Sequence, residues 1–116
     1  MLTIHLHQLY FHAYHGLYPE ETASGADFEV NVDVSFLERP GIHQLKDTIN
    51  YVMVYGIVSG NMKIATPLIE TVAENIIDGV LRQDERITKV TVNIKKLNPP
   101  ISGFQGVVGV TLTKER

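Results

Sequence analysis

The chain has 116 residues, no cysteine, 44% hydrophobic and 20% charged residues, and a formal net charge of −3. This length fits one compact domain over residues 1–116, the lack of cysteine excludes disulfides and thiolate metal sites, and a mildly acidic balance without a basic run argues against a nucleic-acid partner. No apolar run approaches the ~20 residues of a membrane span, the N-terminus is interrupted by histidines and does not read as a signal peptide, and a cytoplasmic setting is the default expectation.

Residues 2–14 open as a strand. Leu2, Ile4 and Leu6 share one parity and Leu9, Phe11 and Ala13 the other, so a bulge is expected near His7-Gln8. The stretch "YHGLYPEETASGA" (14–26), with Gly16, Pro19 and Gly25, reads as a loop. Residues 27–37 form the cleanest strand, with Phe28, Val30, Val32, Val34 and Phe36 on one face and Glu29, Asn31, Asp33 and Ser35 on the other. The two strands make a long antiparallel hairpin. Arg39-Pro40-Gly41 ends it, and residues 42–50 form a connection.

Residues 51–62 carry valines that suit a strand, but Val54, Ile57, Val58 and Met62 fall on one helical face. Gly56 and Gly60 would each cost a helix interior ~1 kcal/mol relative to alanine, and helix is still the better reading. A second helix is clearer. Thr66 can cap it, Pro67 suits its first turn, and Leu68, Ile69, Val72, Ala73, Ile76, Ile77, Val80 and Leu81 make an apolar stripe of helical period. Residues 87–96 return to a strand, 98–103 to a turn and 106–113 to a last strand. The order β-β-α-α-β-β predicts an α+β domain: a four-stranded antiparallel sheet with two helices on one face. The other sheet face is polar, offering Glu29, Asn31, Asp33, Ser35, Lys89, Thr91, Asn93 and Lys95. Such a face meets bulk water or lines the wet interior of a barrel closed by several subunits.

One position breaks the alternation. In "VTVNIKKLNPPISG" (90–103) Val90, Val92 and Ile94 alternate with polar residues, and the next position of their parity is Lys96. A strand end reaching water explains it without a function; a site at the end of the sheet explains it with one. Lys95, on the polar parity, is the internal control. Glu70 lies in the first turn of the clear helix, where the helix dipole favours a carboxylate. It is ordinary there, yet a carboxylate also accepts two parallel N–H bonds well. Tyr51 begins the first helix, and amphipathic packing would account for it alone. His5, His7, His12 and His15 have no strong metal spacing, and no metal is expected. His15, before Gly16, is expected to fix the loop by hydrogen bonds. No phosphate-binding glycine loop and no nucleophile elbow occurs.

The segments "YHGLYPEE" (14–21), "INY" (49–51), "PLIETVAENI" (67–76), "VNIKKLNPPISG" (92–103) and "GVVGVTLTKER" (106–116), taken in this order, resemble dihydroneopterin aldolases over essentially the whole chain. The resemblance implies a tunnelling fold, in which subunits join as a ring whose sheets close a wide barrel. Two rings often stack, so a homo-oligomer, a tetrameric ring or an octamer, is expected, with pterin sites between subunits. It also implies metal-independent retro-aldol cleavage of 7,8-dihydroneopterin, without a cofactor and without a Schiff base, and in many members 2′-epimerisation.

By position, Lys96 matches the catalytic lysine, Glu21 a loop acid near the reacting side chain, and Tyr51 a tyrosine reaching in from a neighbouring subunit. Glu70 matches the acid that anchors the pterin's amino group and ring N–H, with Leu68, Ile69, Pro100 and Ile101 as walls or backbone contacts. Met53 and Ala26 depart from the acid and the glutamine that are common in the family. A related epimerase of dihydroneopterin or its triphosphate, and a non-catalytic pterin- or purine-binding ring, are the alternatives. A zinc-dependent pterin synthase of the same fold would need a histidine triad whose full pattern is missing.

Overall fold

The computed structural model describes residues 1–116. Strands β1 (Leu2–Ala13), β2 (Ala26–Phe36), β3 (Ile87–Leu97) and β4 (Val107–Glu115) form one antiparallel sheet in that order. Alternation governs it. Phe28, Val30, Val32, Val34 and Phe36 of β2 are buried, and Val34, Val32 and Val30 stand opposite Val90, Val92 and Ile94 of β3. The expected bulge is present: the β1–β2 register shifts between Leu6 and Leu9, and Gln8 has a φ of 59°.

Helices α2 (Tyr51–Met62) and α3 (Ile69–Gln83) cover the dry face, α3 lying over β3 and β4 and α2 against α3 and β1. Asn50 caps α2, its side chain accepting from the Val52 N–H at 3.0 Å. Gly56 and Gly60 face open space; Val54, Val58 and Met62 bury the opposite side. That burial, at about 1.5–3 kcal/mol per large apolar side chain, outweighs the two glycine penalties. In α3, Val72, Ala73, Ile76, Ile77 and Val80 are buried as the stripe predicts. Gly79 lets the helices close up, since a Cβ there would sit 2.9 Å from Ile57 Cγ2. No helix is long and apolar enough to cross a membrane.

Two local expectations are corrected and a third gains detail. The stretch read as a loop over 14–26 contains a short helix, α1 (Pro19–Ser24), with Pro19 at its first position and Glu20 and Glu21 in its first turn. Thr66 does not cap α3: Leu68 occupies that position without a side-chain bond, and the Thr66 hydroxyl donates instead to the Ile64 carbonyl. Pro67 accordingly precedes the helix. The connection over 42–50 contains a 3-10 turn, Leu45–Asp47, held by Asp47 accepting from the His43 and Gln44 N–H groups at 3.2 and 3.0 Å.

The outer strands are less covered than the inner ones. Val108 on β4 is exposed, Val110 and Leu112 are half-buried, and so are Leu2, Ile4 and Leu6 on β1. The chain is long and narrow, 53 × 24 × 22 Å, with a radius of gyration of 15.5 Å against about 13.4 Å for a globule of this length.

Candidate active site

Lys96 is the last inward-facing side chain of β3. It pairs in register with Phe28, a core residue, while Lys95 pairs with Glu29 on the polar face. The alternation that buries Ile94 therefore turns Lys96 inward, past the end of the core. Its side chain is 13% exposed and that of its ion-pair partner Glu21 is 9% exposed. The Lys96 ammonium donates to Glu21 Oε2 and lies 5.7 Å from the centre of the Phe28 ring. Lys95 reaches Glu29 at 3.6 Å and remains on the surface. The break in parity is thus a part-buried ion pair.

Two backbone features set this pair. Helix α1 carries Glu21 inward, and Gly16 makes room for it. Gly16 has φ 155°, and a Cβ there would fall 2.5 Å from Glu21 Cβ, inside any real contact. On the other side, Asn98 follows β3 with φ 53°, a left-handed conformation that asparagine tolerates better than most residues. It turns the chain into Pro99-Pro100 beside the lysine.

His15 joins the walls. It is fully buried, its ring edge-on to Phe28 at 5.3 Å between centres. Nδ1 accepts from the Thr66 N–H at 3.2 Å, and the Gly16 N–H donates to the Thr66 carbonyl at 3.1 Å. The expected hydrogen-bonding role of His15 is met: it ties the end of β1 to the segment leading into α3. Accepting at Nδ1 leaves the proton of the neutral ring on Nε2, which is buried and has no partner in the chain. Burial first, and the Lys96 ammonium second, hold this imidazole below its usual 6.5.

These elements enclose an open cleft of about 310 Å³. Lys96 and Glu21 lie at one wall. Leu68, Ile69 and Glu70 come from the start of α3, and Pro100 and Ile101 from the turn after β3. Seven of the eight residues singled out in the sequence therefore share one cleft. Tyr51 does not. It stands at the start of α2, 61% exposed, and is not among the cleft residues of its own chain.

Sequence reasoning missed Leu17, Tyr18, Val108 and Val110, which also line the cleft. Val108 and Val110 carried a signal, because they share the inward parity of β4 and pair with Lys96 and Ile94. Chemically, the cleft offers an apolar slot, a carboxylate (Glu70) without a side-chain partner in the chain, and a shielded lysine–carboxylate pair. A flat ligand with adjacent N–H donors and a reactive side chain suits such a place.

A family model described as dihydroneopterin aldolase matches residues 4–113. A dihydroneopterin aldolase of Streptococcus pyogenes serotype M18 is 36% identical over 112 residues, covering 91% of this chain and 92% of its own. Among solved structures, the dihydroneopterin aldolase of E. coli in complex with neopterin superposes with a TM-score of 0.86 at 19% identity, covering 98% of this chain and 99% of that one. The Burkholderia thailendensis enzyme bound to guanine gives a TM-score of 0.79 at 18% identity, covering 99% of this chain and 91% of that one.

Proposed function

The chain belongs to the dihydroneopterin aldolase family, and we propose that the cleft beside Lys96 is where it binds and cleaves its pterin. The activity is that of an aldehyde-lyase of folate biosynthesis: 7,8-dihydroneopterin gives 6-hydroxymethyl-7,8-dihydropterin and glycolaldehyde. The observation that carries the site assignment is the inward turn of Lys96 onto Glu21, in a cleft that Glu70 shares.

Glu70 binds the pterin edge. Neopterin, bound by the E. coli enzyme, and guanine, bound by the Burkholderia one, share an amino group next to a ring N–H. One carboxylate accepts from both donors, and charge-assisted bonds of this kind contribute about 1.5–3 kcal/mol each. Leu68, Ile69, Pro100 and Ile101 hold the ring plane. This orientation turns the C6 side chain toward Lys96 and Glu21.

The 2′-hydroxyl then loses its proton as the C1′–C2′ bond breaks. Its oxygen becomes the glycolaldehyde carbonyl. The bond's electron pair moves through C6 into the C=N bond at N5, which takes up a proton, and the resulting enamine is protonated at C1′ as N5 gives its proton up and the C=N bond is restored. The substrate provides its own electron sink, so the lysine need not form an imine. A cationic Lys96 near N5 stabilises the developing charge, and Glu21 fixes the ammonium and the hydroxyls. Re-addition of C1′ to the opposite face of the glycolaldehyde carbonyl, with the proton returned to the 2′-oxygen, would give the 2′-epimer from the same intermediate.

Tyr51 acts in a neighbouring subunit's cleft, where it helps protonate the enamine. Supporting this is its exposure at the start of α2. Supporting assembly as a tetrameric ring or octamer are the half-covered apolar residues of both outer strands and the elongated subunit.

The test is a product assay with 7,8-dihydroneopterin and a strong chelator. Both products forming supports the reading. The epimer alone would replace cleavage by epimerisation, and binding without conversion would leave a pterin-binding ring.

A further inference from the structure

A second cluster lies on the polar face of the sheet, away from the cleft. His5 and His7 are two residues apart on β1, so both rings project from one face. Asp33 stands opposite His5 in the β1–β2 register. Asp33 Oδ1 bonds both His5 Nδ1 and His7 Nε2, the latter at 2.8 Å. The two rings are 5.0 Å apart and tilted by 50°, and the three donor atoms lie within 4.8 Å of one another. None of the three residues lines the cleft.

We propose that His5, His7 and Asp33 bind one divalent transition-metal ion per chain, with zinc as the reference ion. Two imidazole nitrogens and one carboxylate oxygen are a donor set of the right softness. Bonds of ~2.0–2.1 Å place tetrahedral donors about 3.4 Å apart, within reach of small rotations of side chains that are 59%, 50% and 33% exposed. The ion replaces the proton that each imidazole shares with Asp33, and water completes its shell.

The surroundings are neutral. Thr3 and Ser35 bond one another on one side, Asn31 lies on the other, and Thr91 is the β3 partner of Asp33. No lysine or arginine pairs with Asp33, so no fixed cation competes for the carboxylate. His12 shows the contrast. Its Nδ1 bonds Asp27 at 2.8 Å and its Nε2 the Ser24 carbonyl at 3.0 Å, with no second imidazole at hand.

The ion's role is mechanical. β1 is an edge strand whose one strand neighbour in the chain is β2, and its register breaks just after His7. A metal bridging His5, His7 and Asp33 pins β1 at that bulge and takes no part in the aldol step.

The test uses the tag-free chain titrated with Zn²⁺ by calorimetry and with Co²⁺ by visible absorption. Expected are one ion per chain, Co²⁺ bands of nitrogen–oxygen ligation, and a rise in Tm with Zn²⁺. His7→Gln should weaken binding by about 100-fold or more, given that even outer partners of a ligand are worth roughly 10–100-fold, and should abolish the Tm rise. Its aldolase turnover should stay at the wild-type level, and His12→Gln should bind normally. Absence of stoichiometric uptake, undiminished binding by a His5→Gln/His7→Gln chain, or loss of binding in His12→Gln would each overturn the proposal.

Discussion

Lys95 and Lys96 are neighbours in sequence and stand on opposite faces of one sheet. Lys95 joins a row of polar groups in which Asn31 bonds Asn93 at 3.1 Å and Thr91 bonds Thr113 at 3.0 Å. Lys96 occupies the next place in the row of Val90, Val92 and Ile94, at the wall of the cleft. The same side chain is a solvated surface group on one face and a shielded ion-pair partner on the other. Strand parity decides between them, and a charge on the wrong parity marks where the core opens into a site.

The sharpest way to break this comparison is to remove each lysine in turn. Lys96→Ala should lower turnover by about 10²–10⁴-fold, the usual range for a group that handles protons or charge in the transition state, while pterin affinity changes much less. Lys95→Ala should leave turnover within about twofold, because a surface ion pair contributes ~0–1 kcal/mol. Steady-state kinetics together with equilibrium pterin binding separate the two effects; equal losses would defeat the parity argument. Mixing inactive Tyr51→Phe chains with inactive Lys96→Ala chains and reassembling them should restore activity, because some clefts then receive both wild-type groups. No recovery on mixing would place Tyr51 outside the reaction.

Glu70→Gln should act on binding rather than chemistry. Losing the charge weakens pterin affinity by roughly 10–100-fold if the two bonds contribute as expected, with a smaller change in kcat. The faces themselves differ in stability. Ile94→Ala should cost about 2–5 kcal/mol in denaturant unfolding, whereas Asn93→Ala, one residue away on the polar face, should cost about 1 kcal/mol.

The smallest effect concerns pH. His15 is held below its usual 6.5 in the folded chain, by burial and then by Lys96. The unfolded chain therefore binds the proton first as pH falls. The contribution of neutral His15 is fully present above 6.5 and is lost as pH drops below that value toward the depressed folded one. Denaturation midpoints at a series of pH values should fall more steeply for the wild type than for His15→Asn. His12 works in the opposite sense, raised chiefly by its bond to Asp27, so the difference between the two chains isolates His15.

Much of this was legible in the chain. β2, β3 and α3 declared themselves because one buried face imposes an unbroken period, and α2 begins and ends at the expected residues despite two glycines. The anomaly at Lys96 was readable for the same reason. What escaped were features set by contacts between distant segments. Thr66 had the chemistry of a cap but spends its N–H on His15 and its hydroxyl on Ile64. The helix carrying Glu21 is too short to show a period, although Pro19 followed by two acids was a sign of a helix start. Tyr51 cannot be placed in the cleft from its own chain at all, and only the family resemblance suggested a second chain.

The uncovered outer strands bear on how the protein responds to concentration. β1 and β4 each leave one row of backbone donors and acceptors without a partner in the chain, beside apolar residues only half hidden. If closure of the sheet between subunits satisfies both, then dilution removes strand pairs and the shared cleft in the same event. Specific activity should then fall on dilution before any helix melts, and the lone subunit, carrying two open edges, is the species most prone to aggregate.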